Sequence, residues 1–401
     1  MSTTKILAAA VVIGAVALTH QIRPLNVLAY SLVAMLVLSF VWSRLSVRGL
    51  RLRRDVRTTR VQVGEAVEER ISLLNHSPAP RLWLHVQDLS TLPGHSAERI
   101  VDLEPRGART WRAQTVCRRR GEYLLGPSTL VGADPLGLFP ARRHVSGATR
   151  VLVYPQTVEL LDFVLPFADE HGGNRQVAGL HQTTAHAAET REYSPGDPLK
   201  RIHWRTTARL SKLMVKEFDE DPTADVWIFL DLDARVHRGE GDESTVEYAV
   251  KAASSLGKHF LDRNRNVGLV ASGRRRSALP ADRGDRQLIR LLEELAVVQA
   301  DGGAPLAEVL LAEGHRCQGR SVALIITPSL DQAWVGSLRA LRYQGVRGVA
   351  VVVEPGSFDG GENSLPLASA LAAADLPLHL IRQGDNLSQA LRGDGLAGVA
   401  R

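Results

Sequence analysis

The chain has 401 residues, 44% hydrophobic and 23% charged, enough apolar material for roughly two or three packed domains and too much for a disordered chain. Its net charge of +6 is concentrated at one end: nine basic side chains and one acid, Asp55, occupy the first 60 positions, and the remainder is slightly acidic. That distribution argues against nucleic-acid binding, which needs the excess on a folded domain; the two cysteines, Cys117 and Cys317, lie too far apart for a disulfide framework or a cysteine zinc site and fit a reducing compartment.

Two apolar runs come first, Ile6–Ile22 and Leu25–Trp42, separated by Arg23 and Pro24. Each approaches the ~20 residues that cross a bilayer, and Trp42 suits an interfacial position. A cleaved signal peptide competes for the first run. However, His20-Gln21-Ile22-Arg23-Pro24 lacks the small residues of a cleavage site, and the second run would stay unexplained. Seven arginines between Arg44 and Arg60, against Arg23 alone in the turn, put both ends of this transmembrane helical hairpin in the cytoplasm. Residues 1–54 are thus expected to anchor the chain in the inner membrane through two spans, with Pro24, Trp42, Arg44 and Arg48 at its turn and base and lipid as the partner.

Residues 55–155 read as strands. Thr59–Val63, Glu69–Leu73 and Arg81–Val86 alternate polar and apolar side chains, which puts one face in a core and the other in water. Turn signals at Asn75-His76-Ser77-Pro78, Pro93-Gly94, Pro105-Arg106-Gly107, Arg120-Gly121 and Ala133-Asp134-Pro135 punctuate them. The spacing predicts a small β-sandwich-like domain. Its histidines and aspartates read as single, solvated residues with no catalytic constellation.

Residues 156–222 form a connecting segment whose richest stretch runs from Glu189 to Arg209. Ser194-Pro195-Gly196 is a turn, Asp197 a helix N-cap and Pro198 a first helical residue. The helix then carries Arg201, Arg205 and Arg209 at i, i+4 and i+8, where like charges repel by a few tenths of a kcal/mol per pair. Glu189, Glu192 and Asp197, an acidic partner surface or an anion could compensate. Ile202 and Trp204 are expected to pack this helix onto the domain that follows. His171, His181, His186 and His203 fall nearby, but His181 and His186 lack the spacing and the carboxylate of a zinc site.

From residue 223 to 401 strands alternate with helices. Asp225–Asp231, Val267–Ala271, Val322–Ile326, Val349–Val353 and Leu378–Ile381 are near-continuous apolar strands, and Arg275–Ala281 is an edge strand. Helices are predicted at Ser244–Asn264, Arg286–Gln299, Pro305–Glu313, Ala333–Tyr343 and Pro366–Ala374. This is a doubly wound α/β domain, and its ligand edge is the carboxyl end of the strands. Asp231 and Asp233 stand there, with Thr327-Pro328-Ser329 at the end of another strand. Two carboxylates two apart are compatible with Mg²⁺. The absence of a third acid near Thr327 favours a plainer role, in which Asp231 binds loop amides and Asp233 is solvated. Ser255-Leu256-Gly257-Lys258 lies within a helix and is no phosphate loop, and no nucleophile elbow is present, so no enzyme is predicted.

The run Arg191-x-Tyr193-x-x-Gly196-Asp197-x-x-x-Arg201-x-x-Trp204, continuing through Arg205, Ala208 and Arg209 to Leu213-x-Val215-Lys216-Glu217, resembles the core motif of the bacterial family known as domain of unknown function 58. Arg120-Gly121-Glu122-Tyr123-x-x-Gly126-Pro127 and Asp134-Pro135-Leu136-Gly137-Leu138-Phe139 resemble it too, as does a hairpin followed by a β domain. The resemblance implies a multidomain α+β protein with a von Willebrand factor A-like C-terminal domain. It also implies a link to MoxR-type AAA+ ATPases, often encoded beside such proteins. A von Willebrand A domain holds metal through Asp-x-Ser-x-Ser with a later Thr and Asp; here the place reads Asp231-x-Asp233-x-Arg235, and Arg235 repels a cation. The expectation is a membrane-anchored interaction protein without a cofactor, its motif residues Arg191, Tyr193, Gly196, Asp197, Arg201, Trp204, Arg205 and Arg209 meeting a protein partner. The alternatives are a metal-dependent hydrolase using Asp231 and Asp233, and a binder of anionic lipid or envelope polymer through the arginine stripe.

Overall fold

The computed structural model describes residues 12, 23–160, 163, 165, 189–192, 204–217, 224–317, 321–361 and 363–392. The chain divides into two units, residues 1–156 with 292–298, and 157–291 with 299–401.

Helix α1 of the first unit is Arg23–Ser46. Pro24 sits in its first turn, where a missing amide costs no hydrogen bond. Asn26–Ser46, 21 residues, is long and apolar enough to cross a membrane; at 1.5 Å per residue it spans about 31 Å, close to a hydrocarbon core. Val27, Leu28, Val33, Val37 and Leu38 are exposed along it. The first apolar run, Ile6–Ile22, lies outside the described residues apart from Val12, and so does the expected hairpin turn. At the other end of α1, the guanidinium of Arg143 donates to the carbonyls of Val47 (3.2 Å) and Leu50 (3.0 Å), and that of Arg81 to Arg48 (3.3 Å). Two cations therefore hold the turn that follows the carbonyl end of the helix, close to the negative end of its dipole.

Strand β1, Leu50–Val56, follows at once, so the boundary expected after residue 54 falls inside a strand. The remaining strands are β2 (Arg60–Gln62), β3 (Ala66–Asn75), β4 (Arg81–Asp88), β5 (Arg99–Leu103), β6 (Ala108–Val116), β7 (Gly121–Leu125), β8 (Ser128–Gly132), β9 (Ala141–Val145) and β10 (Thr149–Tyr154). They form three sheets, ordered β1-β3-β6, β2-β10-β7 and β5-β4-β8-β9. Leu50, Ile71, Leu73 and Trp111 of the first sheet share one core with Leu84, Val86, Leu103 and Leu130 of the third, which is the sandwich arrangement. The predicted alternation holds: Val67, Glu69, Ile71, Leu73 and Asn75 of β3 all face inward.

The second unit contains a short antiparallel pair, β11 (Glu189–Glu192) with β12 (Met214–Glu217), and between them in sequence helix α2 (Trp204–Leu210). Its main sheet has strands β13 (Val226–Leu230), β14 (Val267–Ser272), β15 (Arg276–Asp282), β16 (Val322–Thr327), β17 (Arg347–Val353) and β18 (Leu378–Ile381). The order is β15-β14-β13-β16-β17-β18, parallel except for the edge strand β15. Helices α3 (Thr245–Asp262), α4 (Asp285–Val297), α5 (Leu306–Glu313), α6 (Ala333–Tyr343) and α8 (Leu365–Ala373), with the single turn α7 (Gly356–Asp359), alternate with the strands. Every residue of β13, β14 and β16 is buried, as continuous apolar runs covered on both faces require. Trp334, Leu338 and Leu341 of α6 pack with Phe229, Ile325, Ala350 and Val352 of the sheet. Each such side chain contributes about 1.5–3 kcal/mol of burial.

Candidate functional site

Chain order places β13 first in the sheet, with β14 on one side of it and β16 on the other, so the order reverses between β13 and β16. The carboxyl ends of these two strands make the switch-point crevice where α/β sheets take ligands. Asp231 and Thr327 meet there: the Thr327 hydroxyl donates to Asp231 Oδ2 at 2.6 Å, and the Asp233 amide donates to Asp231 Oδ1 at 3.1 Å. The Thr327 oxygen in turn accepts from the Ser329 amide at 2.8 Å. His237 Nε2 lies 3.0 Å from the Asp231 carbonyl oxygen, and its Nδ1 lies 3.0 Å from the Thr245 hydroxyl.

Asp233 is buried, not solvated as the sequence suggested. Arg235 accounts for the difference. Its Nη2 is 2.6 Å from Asp233 Oδ2 and its Nε 2.9 Å from Oδ1, and its own amide donates to Oδ1 at 3.1 Å. The guanidinium also reaches the Gly303 carbonyl at 3.3 Å. Backbone bonds from Ala234 to Gly302 and from Gly302 to Leu232 hold this loop in place. A side chain at Gly302 would collide with the carbonyl oxygens of Ser272 and Leu232.

The two carboxyls titrate in opposite directions. Burial pushes Asp231 above the usual carboxylate range, against the pull of Thr327 and the Asp233 amide. The Arg235 hydrogen bonds hold Asp233 below that range, against its burial. One acid is thus biased toward its neutral form, and the other is committed to a cation of the protein's own. Asp231, Asp233, Thr327 and Ser329 offer the oxygens a divalent metal prefers, but both oxygens of Asp233 already face the guanidinium.

The interaction motif is brought together only in part. Across β11 and β12, Arg191 pairs with Val215 and Glu192 with Met214, so the two ends of the motif close on each other. Tyr193, Gly196, Asp197 and Arg201 lie outside the described residues, as do His171, His181, His186 and His203. Helix α2 carries Trp204, Arg205 and Arg209. Trp204 does not pack as expected: it is 68% exposed, and Arg209 is exposed as well. Met214 is buried, and its amide donates to the Thr207 hydroxyl at 3.0 Å.

Residues 189–394, just over half of the chain and spanning both the motif and the α/β sheet, match the family described as protein of unknown function DUF58. The chain belongs to the DUF58 family. The uncharacterized protein YeaD of Bacillus subtilis is 23% identical over 71% of this chain and 72% of its own length. The uncharacterized protein Rv1480 of Mycobacterium tuberculosis is 28% identical over 51% of this chain, which spans 65% of that relative. Among solved structures, the CARDB domain of PF1109 from Pyrococcus furiosus overlaps 26% of the chain, and 91% of its own, with a TM-score of 0.20.

This DUF58 chain holds a second polar centre, in the β domain, that the sequence did not reveal. Arg54 Nη2 donates to Asp88 Oδ1 at 2.7 Å, Arg54 Nε lies 3.3 Å from Glu69 Oε2, and Arg54 Nη1 donates to the Ser90 hydroxyl at 3.1 Å. His95 Nε2 lies 3.0 Å from Glu69 Oε1 and 3.4 Å from Asp88 Oδ2. His95 Nδ1 lies 2.9 Å from the Thr115 hydroxyl. Glu69, Asp88 and His95 have the proximity of a metal triad, and here again an arginine supplies the positive charge. Burial raises the Asp88 carboxyl, but its bonds to Arg54 and Ser90 outweigh this and hold it below the ordinary range. The sequence places Arg54 in the arginine-rich membrane flank and suggests solvated roles for Asp88 and His95, and the structure buries all three side chains. The overlooked signal is phase: Arg54 shares a strand face with Leu50 and Leu52, Glu69 with Val67 and Ile71, and Asp88 with Leu84 and Val86.

Proposed function

We propose that the protein is a membrane-anchored interaction adaptor of the cytoplasmic face, whose C-terminal von Willebrand A-like domain engages a protein partner, a MoxR-type AAA+ ATPase. The observation that carries this reading is the closure of Arg235 on both oxygens of Asp233 at the switch-point crevice. A metal-dependent hydrolase at Asp231 and Asp233 would need that carboxylate for its cation. The sheet order, with one antiparallel edge strand, supports the von Willebrand A-like assignment. The exposed Trp204 on α2 supports a docking role for the family motif, because a large exposed indole has the composition of a binding hot spot, and the same short helix exposes Arg209. Helix α1 supports the anchor, and a hairpin completed by Ile6–Ile22 would leave both termini in the cytoplasm.

Photo-crosslinking from position 204 of the full-length protein in native membranes tests the reading. A crosslink to an AAA+ ATPase is expected; crosslinks confined to lipid or to the chain itself would reject it.

A further inference from the structure

The motif Asp134-Pro135-Leu136-Gly137-Leu138-Phe139 plays no part in the function proposed above, and its position in the first unit is informative. It forms a tight turn with Asp, Pro and Gly where such a turn favours them: the Gly137 amide donates to the Asp134 carbonyl at 2.9 Å, and Gly137 has φ +67°. Asp134 is 1% exposed, and its carboxylate accepts the amides of Leu136 (3.0 Å) and Phe139 (2.7 Å). The acid is therefore spent inside the turn, and Leu136 stands at the tip, 53% exposed. From Pro135 to Ala141 the sequence has no charge, and Arg142 follows, exposed.

The turn climbs along α1. Strand β8 ends at Gly132, where an added Cβ would collide with the Ser46 hydroxyl, so this backbone lies against the end of the helix. Seven residues on, the Phe139 ring meets Phe40 edge to face, with centroids 5.7 Å apart. Phe40 is six residues before Ser46, about 9 Å further along the helix axis. It precedes Trp42, and the Arg44 guanidinium reaches back over its ring at 5.2 Å. An apolar turn is thus held level with the apolar part of a helix long enough to cross a bilayer.

We propose that the Asp134–Pro140 turn enters the interfacial layer of the bilayer that α1 crosses, with Leu136 in the acyl boundary and Arg142 and Arg44 at the phosphates. The inference rests on reading α1 as the membrane anchor. It makes the β domain a second, monotopic contact that fixes its orientation on the lipid surface.

The test uses full-length protein carrying Leu136→Cys, labelled with a nitroxide and reconstituted in nanodiscs of phosphatidylethanolamine and phosphatidylglycerol. Cys117 and Cys317 are buried and do not compete for the label. Collisions with oxygen, which partitions into lipid, are compared with collisions with a water-soluble nickel complex. Labels at Leu38 in α1 and at Tyr343, 89% exposed, serve as references. The Leu136 label should follow Leu38, with a several-fold preference for oxygen over its value at Tyr343. A Leu136 label that follows Tyr343 while Leu38 stays oxygen-rich overturns the insertion and leaves the anchor intact. A Leu38 label that follows Tyr343 overturns the anchor and the insertion with it. Leu136→Trp repeats the measurement without a nitroxide, read as quenching by brominated lipid in excess of that of the wild type, whose own Trp42 lies in α1: added quenching supports insertion and no increase rejects it.

Discussion

Arg235 grips Asp233 at two points, Nη2 to Oδ2 at 2.6 Å and Nε to Oδ1 at 2.9 Å, beside an Asp231 that is itself bonded to Thr327. A guanidinium matched to a carboxylate in this forked geometry does the neutralising that a metal would otherwise do. The crevice keeps the shape of an oxygen-rich site with its cation supplied in cis.

Replacing Arg235 with Ser should therefore open the site. It frees both Asp233 oxygens and adds a hydroxyl two positions on. Titration calorimetry of Mn²⁺ into the full-length protein is expected to show binding in Arg235→Ser and none in the wild type. Stoichiometric binding by the wild type, lost in Asp231→Ala, would contradict the account.

Asp231 gives a pH dependence whose sign is fixed by its burial. Its carboxyl titrates above the ordinary range in the fold, so the stability it contributes is full below the unfolded value of about 3.9 and is lost as pH rises through the folded value. Asp231→Asn cannot titrate. Urea denaturation should show the stability of the wild type, relative to Asp231→Asn, falling as pH rises from about 4 toward neutrality. A difference that stays flat or grows would mean that the carboxylate ionises there without penalty.

In the β domain, Arg54→Ala should be severe. The Glu69 side chain is fully buried and that of Asp88 is 3% exposed, and removing the guanidinium leaves them facing each other across His95. Breaking a buried pair on one side costs about 3–5 kcal/mol. Thermal or urea unfolding of the full-length protein in detergent, following the β domain, measures it. A loss no larger than that of an exposed pair such as Arg57–Glu68 would show that the Arg54 guanidinium does not hold the buried acids together.

The strands and helices of the α/β domain were legible because apolar runs and helical stripes report burial directly: β13, β14, β16 and α3 fall within a residue or two of their expected limits. The edge strand β15 was legible from its pairing through Ser272-Gly273. What escaped was pairing between charges distant in sequence. Arg54 meets Asp88 across 34 positions, and Glu69 meets His95 across 26. A period-two pattern shows that Arg54, Glu69 and Asp88 point inward but not which of them meet, and His95 lies between strands, where no such pattern applies. Arg235 was legible as an opponent of metal, but the local alternation around it gave no reason to bury Asp233. Trp204 was misjudged for a simpler reason: a large apolar residue on a short helix is usually core, and this one is exposed.

The exposed indole leads to the most direct test. Trp204→Ala removes little buried area, since the indole is 68% exposed, so unfolding should move by about 0.5 kcal/mol or less. Loss of a central aromatic contact should nevertheless weaken partner binding at least tenfold, the effect of roughly 1.4 kcal/mol. The decisive measurement is the affinity of the proposed partner, a MoxR-type AAA+ ATPase, for the full-length chain in nanodiscs, wild type beside Trp204→Ala. The account predicts saturable binding by the wild type and a tenfold or greater loss in the variant at unchanged melting temperature. No binding by the wild type, or equal binding by both, would contradict it.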